Sequence, residues 1–173
     1  LVPATLDLAG AEPLLLSSVG KEMILRDALE RVKNDYDWII IDAPPSLGIL
    51  TINILACSNR ALVPMQCEFY ALEGLSQLIK TIEIVKRRIN PGLEIAKVVL
   101  TMVDSRNKLT HQVMQEVKDF FGEKVSETMI PRNVRLSEAP SFGESAMKMF
   151  PTSKGSIAYR ALVEEMVGRC GAV

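Results

Sequence analysis

Residues Trp38 to Gly48 read WIIIDAPPSLG. Four apolar residues in a row, without polar alternation, suit a strand covered on both faces, as in a parallel sheet. Pro44 and Pro45 lack the N–H groups that a ladder needs, so the strand should end near Asp42, with Trp38 anchoring it. In open α/β sheets the carboxyl ends of the strands face the ligand crevice. That makes Asp42 a candidate for the mouth of a site. The alternative is an aspartate that caps a helix starting near Leu47.

The rest of the chain alternates between strand and helix signals. Leu25, Ala28, Leu29 and Val32 share a helical face ahead of WIII, and LGILTINILACS reads as a buried helix followed by the strand RALVPM. A long helix is expected from about Ala71 to Ile89, with Leu72, Leu75, Leu78, Ile79, Ile82, Val85 and Ile89 as its apolar stripe. Asn90, Pro91 and Gly92 stop it. IAKVVLTMV is the next strand, and Val113, Val117, Phe120 and Phe121 stripe the next helix. VSETMI reads as a short strand closed by Pro131, and a last helix runs from about Ser153 to Val167. This order predicts an α/β fold, a doubly wound, mostly parallel sheet with helices on both faces.

Composition narrows the chemistry. The chain has 173 residues, 48% of them hydrophobic and 24% charged, enough apolar material for one soluble globular domain. His111 is the single histidine, which argues against Ser–His–Asp catalysis and excludes histidine-rich metal sites. Cys57, Cys67 and Cys170 are odd in number and form no CxxC pair, as expected of reduced packing residues. Met102, Met114 and Met129 read as core filler. No apolar run has transmembrane length, and a net charge of −1 neither favours nor excludes nucleic acid.

An apolar strand ending in aspartate has the form of a Walker B element, whose carboxylate holds the Mg²⁺ of a nucleoside triphosphate, usually through water. Such an element needs a Walker A glycine loop. Ser18-Val19-Gly20-Lys21 lacks its spacing and reads instead as a helix entry. Four stretches taken in order nonetheless carry a resemblance: DAPPSLG from Asp42, PMQCEFYALEGLSQL from Pro64, TMVDSRNKL from Thr101 and IPRNVRLSEAPSFG from Ile130. Together they resemble the ParA/Soj family of chromosome- and plasmid-partitioning ATPases, across essentially the whole chain. The resemblance implies that residues 1–173 are the C-terminal two-thirds of one such domain, with a KGGxGKTT-like loop before Leu1. The strand feeding that loop would lie beside WIIID; with no strand there, the run would present an unpaired apolar edge.

The resemblance also implies roles. Asp42 matches the catalytic Walker B aspartate that holds Mg²⁺ through water, and Pro131, Arg132 and Asn133 match a loop folded over the adenine of ATP. Glu68 resembles residues near the nucleotide and the dimer interface. Arg106, Arg135 and Lys108 match basic residues that contact DNA without sequence preference. The implied protein is an ATP-dependent homodimer, cytoplasmic and nucleoid-associated, released from DNA when a ParB-like partner stimulates hydrolysis. ATP and Mg²⁺ are its cofactors; without the phosphate loop, residues 1–173 are expected to lack hydrolysis. A non-catalytic DNA- or partner-binding module is the alternative. A membrane-cycling MinD-like ATPase fits less well, because YRALVEEMVGRCGAV carries Glu164 and Glu165 rather than a basic amphipathic face.

Overall fold

The computed structural model describes residues 1–5, 7–68 and 71–170, without the side chains of residues 9, 71–73, 169 and 170. The stripe position Leu72, the thiol of Cys170 and the small residues that end the chain therefore lie outside the described residues, as do Phe69 and Tyr70. The chain divides into two compact units, Leu1–Ala61 with Ser76–Glu94, and Leu62–Leu75 with Ile95–Val173.

The first unit contains α1 (Asp7–Leu16), α2 (Ile24–Leu29), α3 (Ile49–Cys57) and most of α4 (Ala71–Arg88). Helix α3 buries Ile49, Leu55 and Ala56, and with them the polar Asn53. Burial of an amide is tolerated only when its donors and acceptor are met. Asn53 meets this by accepting from the Leu25 amide at 3.1 Å and donating to the carbonyls of Lys21 at 2.7 Å and Ile49 at 3.0 Å. It thereby ties the entry of α2 to α3. Asn90, just past α4, donates to the carbonyls of Leu55 at 3.0 Å and Ser58 at 2.7 Å, satisfying the open end of α3. Ile82 and Val85 are the buried positions of the stripe in this unit, and Leu75 is the buried one in the other.

LVPAT is irregular and exposed, and α1 begins at Asp7. One expectation fails in this unit. WIII makes no ladder among the described residues, and it is not buried: Trp38 is 54% exposed and Ile40 is 88% exposed. Apolarity sets a preference for burial; a ladder still needs a neighbouring strand.

In the second unit the strands β1 (Arg60–Gln66) and β2 (Glu94–Thr101) lie side by side in a parallel α/β sheet, with α4 as the crossover. Lys97, Val98, Val99 and Leu100 of β2 are all buried, and Thr101 donates to the Met65 carbonyl at 3.2 Å. Helix α5 (Lys108–Phe121) turns Thr110, Val113 and Val117 inward. Phe120 is a correction: it is 74% exposed, while Phe121, one step nearer the buried arc, is half-buried and meets it edge to face at 4.7 Å.

On the other side of β2, residues 125–131 run parallel to it but pair only at Val98–Val125 and Val103–Pro131. Between these points the Glu165 carboxylate draws off the backbone: it accepts from Ser126 Oγ at 2.7 Å and from the amides of Glu127 at 3.1 Å and Thr128 at 3.0 Å. The expected VSETMI strand is thus interrupted. After Pro131 comes α6 (Val134–Glu138), which runs into a tight 3₁₀ turn at Ala139–Phe142. Helices α7 (Ala146–Met149) and α8 (Lys154–Cys170) follow. Val99, Ile130 and Leu162 form a buried cluster extended by Leu136, Ala158 and Met166. A Cβ at Gly155 would fall 2.6–2.9 Å from the Leu136 side chain, so glycine is what lets α6 approach α8 this closely. Met102 and Met129 are exposed and only Met114 is half-buried, which corrects their reading as core filler.

The two apolar runs should respond oppositely to mutation. Leu100→Ala should cost about 2–5 kcal/mol by cavity formation, whereas Ile40→Thr should stay within about 0.5 kcal/mol, both read by chemical denaturation. A second outcome concerns pH. Desolvation, the largest single influence, pushes the Glu165 carboxyl up, but hydrogen bonds from Ser126 and from the Thr128 and Glu127 amides together outweigh it and hold the group at about 2. A depressed folded value stabilises the protein above the ordinary carboxylate range, and that contribution disappears as pH falls toward 2. Glu165→Gln should flatten this acid limb of the stability–pH curve.

Candidate functional site

The carboxyl end of β2 is where chemistry-bearing side chains collect in the second unit. The strand ends at Thr101, and Met102 follows with φ +51°. A flexible, unbranched residue in the left-handed region is uncommon and costs free energy, and such positions gather at functional sites. Here the distortion inserts one residue into β2 before Val103. The Val103 amide donates to the Ile130 carbonyl at 3.1 Å, and its carbonyl accepts from the Arg132 amide at 3.2 Å.

The next residues form a braced loop. Arg106 grips Asp104 side-on along one guanidinium edge, Nε to Oδ1 at 2.9 Å and Nη2 to Oδ2 at 2.8 Å, and its amide adds a third contact at 3.1 Å. These side-chain and then backbone hydrogen bonds hold the Asp104 carboxyl well below the usual carboxylate range and push Arg106 up in turn. Asn107 Oδ1 accepts from the Leu109 amide at 3.0 Å and caps α5, and His111 Nε2 lies 2.9 Å from the Ser105 carbonyl. The chain's single histidine therefore braces the loop. Lys108 opens α5 and is exposed.

Pro131, Arg132 and Asn133 are brought beside this loop by the Val103–Pro131 pairing. Asn133 Oδ1 accepts from the Arg135 amide at 2.9 Å and caps α6. Arg132 Nη2 lies 3.9 Å from Glu68 Oε1, a loose pair between two exposed side chains that contributes little. Arg135 pairs with Glu138 at 2.7 Å and lies 4.8 Å above the Phe150 ring. The three arginines singled out in the sequence are therefore exposed, and each is already matched to a carboxylate. Asp104, Glu138 and Phe150 were missed. The two-residue and three-residue spacings to Arg106 and Arg135 were readable signals for the acids, but nothing in the sequence marks Phe150.

Asp42 belongs to the first unit and the residues above to the second. Its carboxylate is exposed and has no hydrogen-bond or ion-pair partner among the described residues. The residue at the head of α3 is Gly48, with no side-chain cap, so Asp42 does not cap that helix and the alternative reading is excluded. Cys67 is buried and Cys57 half-buried; burial raises both thiols, as suits packing residues rather than nucleophiles. No helix among the described residues is long and apolar enough to cross a membrane.

The chain has relatives among known proteins. A family model described as "AAA domain" matches residues 1–95. The sporulation initiation inhibitor protein Soj of Bacillus subtilis is 52% identical over 165 residues, 95% of this chain and 65% of that protein. The chromosome partitioning protein ParA of Myxococcus xanthus is 52% identical over 168 residues, covering 97% of this chain and 59% of that protein. Among solved structures, a cobyrinic acid a,c-diamide synthase from Mycobacterium smegmatis, with bound ADP and magnesium, superposes with a TM-score of 0.76 at 37% identity, over 98% of this chain and 62% of that one. The chain thus spans roughly three fifths to two thirds of the length of these proteins.

Fold and motifs place the molecule among α/β proteins of the AAA-domain, P-loop nucleoside-triphosphatase class. Within that class, the chain belongs to the Soj/ParA family of chromosome-partitioning proteins.

The cap at Asn133 can be separated from any ligand contact it makes. Asn133→Ala should cost about 1 kcal/mol of stability, and Asn133→Asp should restore most of it, both measured by denaturation in the absence of nucleotide.

Proposed function

We propose that the chain is the part of an ATP-dependent partitioning protein that carries the magnesium aspartate, the base-contacting loop and the DNA face. The observation that carries this reading is the strand-end cluster: Arg106, Arg132, Arg135 and Lys108 around the Val103–Pro131 pairing, in a chain of the Soj/ParA family. In this reading Pro131, Arg132 and Asn133 border the adenine, and Glu68 lies at the nucleotide and dimer interface. Arg106, Arg135 and Lys108 contact DNA phosphates on any sequence. ATP brings two copies together, the dimer associates with the nucleoid in the cytoplasm, and a ParB-like protein stimulates hydrolysis and release.

Asp42 suits a magnesium ion held through water, because its carboxylate is exposed and uncommitted among the described residues. No group of three His, Cys, Asp or Glu side chains gathers into a metal cage among those residues, in keeping with an ion whose other positions are filled by phosphate and water. When bound, Mg²⁺·ATP supplies the phosphoanhydride and neutralises its charge. The protein's part is to orient: Asp42 fixes coordinated water, and the loop at Pro131–Asn133 fixes the base.

Arginines already held by acids bring a quantitative consequence. A phosphate can use the guanidinium N–H groups that each acid leaves open or displace the acid itself: Asp104 occupies Nε and Nη2 of Arg106, and Glu138 occupies Nη1 of Arg135. Exposed pairs are weak, so displacement is feasible, yet each acid competes with the polyanion.

The test uses the full-length protein with unrelated DNA duplexes. Affinity should fall with salt at a log–log slope of about 0.9 per phosphate neutralised. Arg106→Ala and Arg135→Ala should weaken binding to every duplex and flatten the slope, and Asp104→Asn should tighten it. Asp42→Asn should abolish Mg²⁺-dependent hydrolysis and leave DNA-independent folding intact. Wild-type DNA retention in both arginine variants, or wild-type hydrolysis in Asp42→Asn, would overturn the reading.

A further inference from the structure

The pairing of residues 125–131 with β2 changes register between its two ends. Val98 pairs with Val125 and Val103 with Pro131, so the outer segment advances six residues while β2 advances five. Two irregularities produce this. The Ser126 amide donates to the Val98 carbonyl and the Ile130 amide to the Leu100 carbonyl, so four residues of the outer segment span two of β2. Two residues are therefore set aside, and they are Glu127 and Thr128, whose amides point to Glu165. The second irregularity is the single residue inserted at Met102.

Glu165 is built into this position. Its side chain is 10% exposed, and it lies 3.6 Å from the Nζ of Lys97, itself 6% exposed. The ammonium donates in addition to the carbonyls of Glu123 at 2.7 Å and Val125 at 3.3 Å. The two charges thus hold both sides of the inserted pair: Lys97 the approach at 123–125, Glu165 the detour at 126–128. A parallel strand offers a regular ladder to any extended neighbour, so only a stronger acceptor than a β2 carbonyl keeps these two amides out of it. An ionised, desolvated carboxylate is such an acceptor.

We propose that Glu165, set by Lys97, is a positioning residue: it fixes the two-residue detour that delivers Ile130–Asn133 to the end of β2, and the significance for nucleotide rests on the reading of Pro131–Asn133 given above. Without the detour the outer segment can close into regular pairing only by sliding two residues, about 7 Å along the strand. That slide keeps the inward and outward faces but removes Pro131 from Val103 and carries Arg132 and Asn133 away from the Asp104–Arg106 loop. Glu165 sits at the far end of this chain of contacts and does not touch the loop itself.

The test is residue-resolved amide exchange of the chain, with wild type, Glu165→Gln and Ser126→Ala compared, and binding of a fluorescent adenine nucleotide with Mg²⁺ to the full-length protein followed in parallel. In Glu165→Gln the amides of Ile130, Arg132 and Val103, none of which touches Glu165, should exchange about ten-fold faster or more, the scale of one lost charge-assisted hydrogen bond. The amides of α3 and α5 should keep their protection. Ser126→Ala, which removes one uncharged donor, should give a smaller change confined to the same residues. Unchanged exchange at Ile130 and Arg132 in Glu165→Gln overturns the proposal whatever happens to nucleotide. If Glu165→Gln loses protection everywhere, Ser126→Ala decides: loss limited to 128–132 and Val103 supports positioning, and a uniform or absent effect overturns it. Faster exchange at these amides together with unaltered nucleotide affinity in both Glu165→Gln and Arg132→Ala supports the register role and overturns the base-contact reading instead.

Discussion

Lys97 is a cation on a strand whose neighbours Val98, Val99 and Leu100 are removed from water, and the layout of the second unit follows from satisfying it. An ammonium at such a depth needs acceptors on all of its donors, and a neutralising charge close by. The two carbonyls come from the 3₁₀ turn just after α5 and from the start of the outer segment; the charge comes from Glu165 on the last helix. One side chain therefore draws three separated parts of the chain to the same edge. Breaking such a pair by removing one partner costs about 3–5 kcal/mol, more than most single contacts contribute. The same carboxylate then has oxygens left over, and it uses them on Ser126, Glu127 and Thr128.

What was legible in the sequence follows a physical line. The α3, α4, α5 and α8 segments, β1 and β2 were readable because their burial is decided by their own periodicity and by stop signals such as Asn90-Pro91-Gly92. The family motifs were readable as strings. WIII was misread as buried because its apolarity states a preference that a partner element must meet, and the sequence cannot show whether that element is beside it. The outer strand was misread for the opposite reason: VSETMI has the right composition, but a glutamate 37 residues beyond Thr128 competes for its amides. Phe120 and Phe121 are adjacent, and only the exact helical phase decides which of them turns in.

The candidate site was legible in its residues and illegible in its pairing. Arg106 and Arg135 were found as cations, yet their partners Asp104 and Glu138 change what the cations can do. A guanidinium gripped along one edge, as at Arg106, is presented in a fixed orientation, which a free surface arginine is not. It is also partly neutralised, so the long-range field that steers a polyanion is weaker than a count of arginines suggests. Fixed geometry and a muted field together favour contact that is formed at short range and reversed easily. That combination suits the reversible DNA contact proposed above.

Met102 joins the register argument to this loop. Its positive φ is a cost carried at the point where β2 stops being a strand, and the residue is exposed, so no burial of the side chain offsets it. What it gains is alignment: the extra residue brings Val103 opposite Pro131, and Asp104 follows one residue later, where Arg106 can chelate it. The two-residue detour held by Glu165 and the one-residue insertion at Met102 act on opposite strands of the same pairing. Neither alone aligns Val103 with Pro131; their difference does. A sheet edge whose final register depends on two local distortions can be shifted by altering either one, and altering the first at Glu165 also unpairs Lys97 on the buried stretch Lys97–Leu100. The strand-end loops therefore have a rigid base and adjustable delivery. The first is set by hydrophobic burial on β2, the second by a single buried ion pair and one strained backbone.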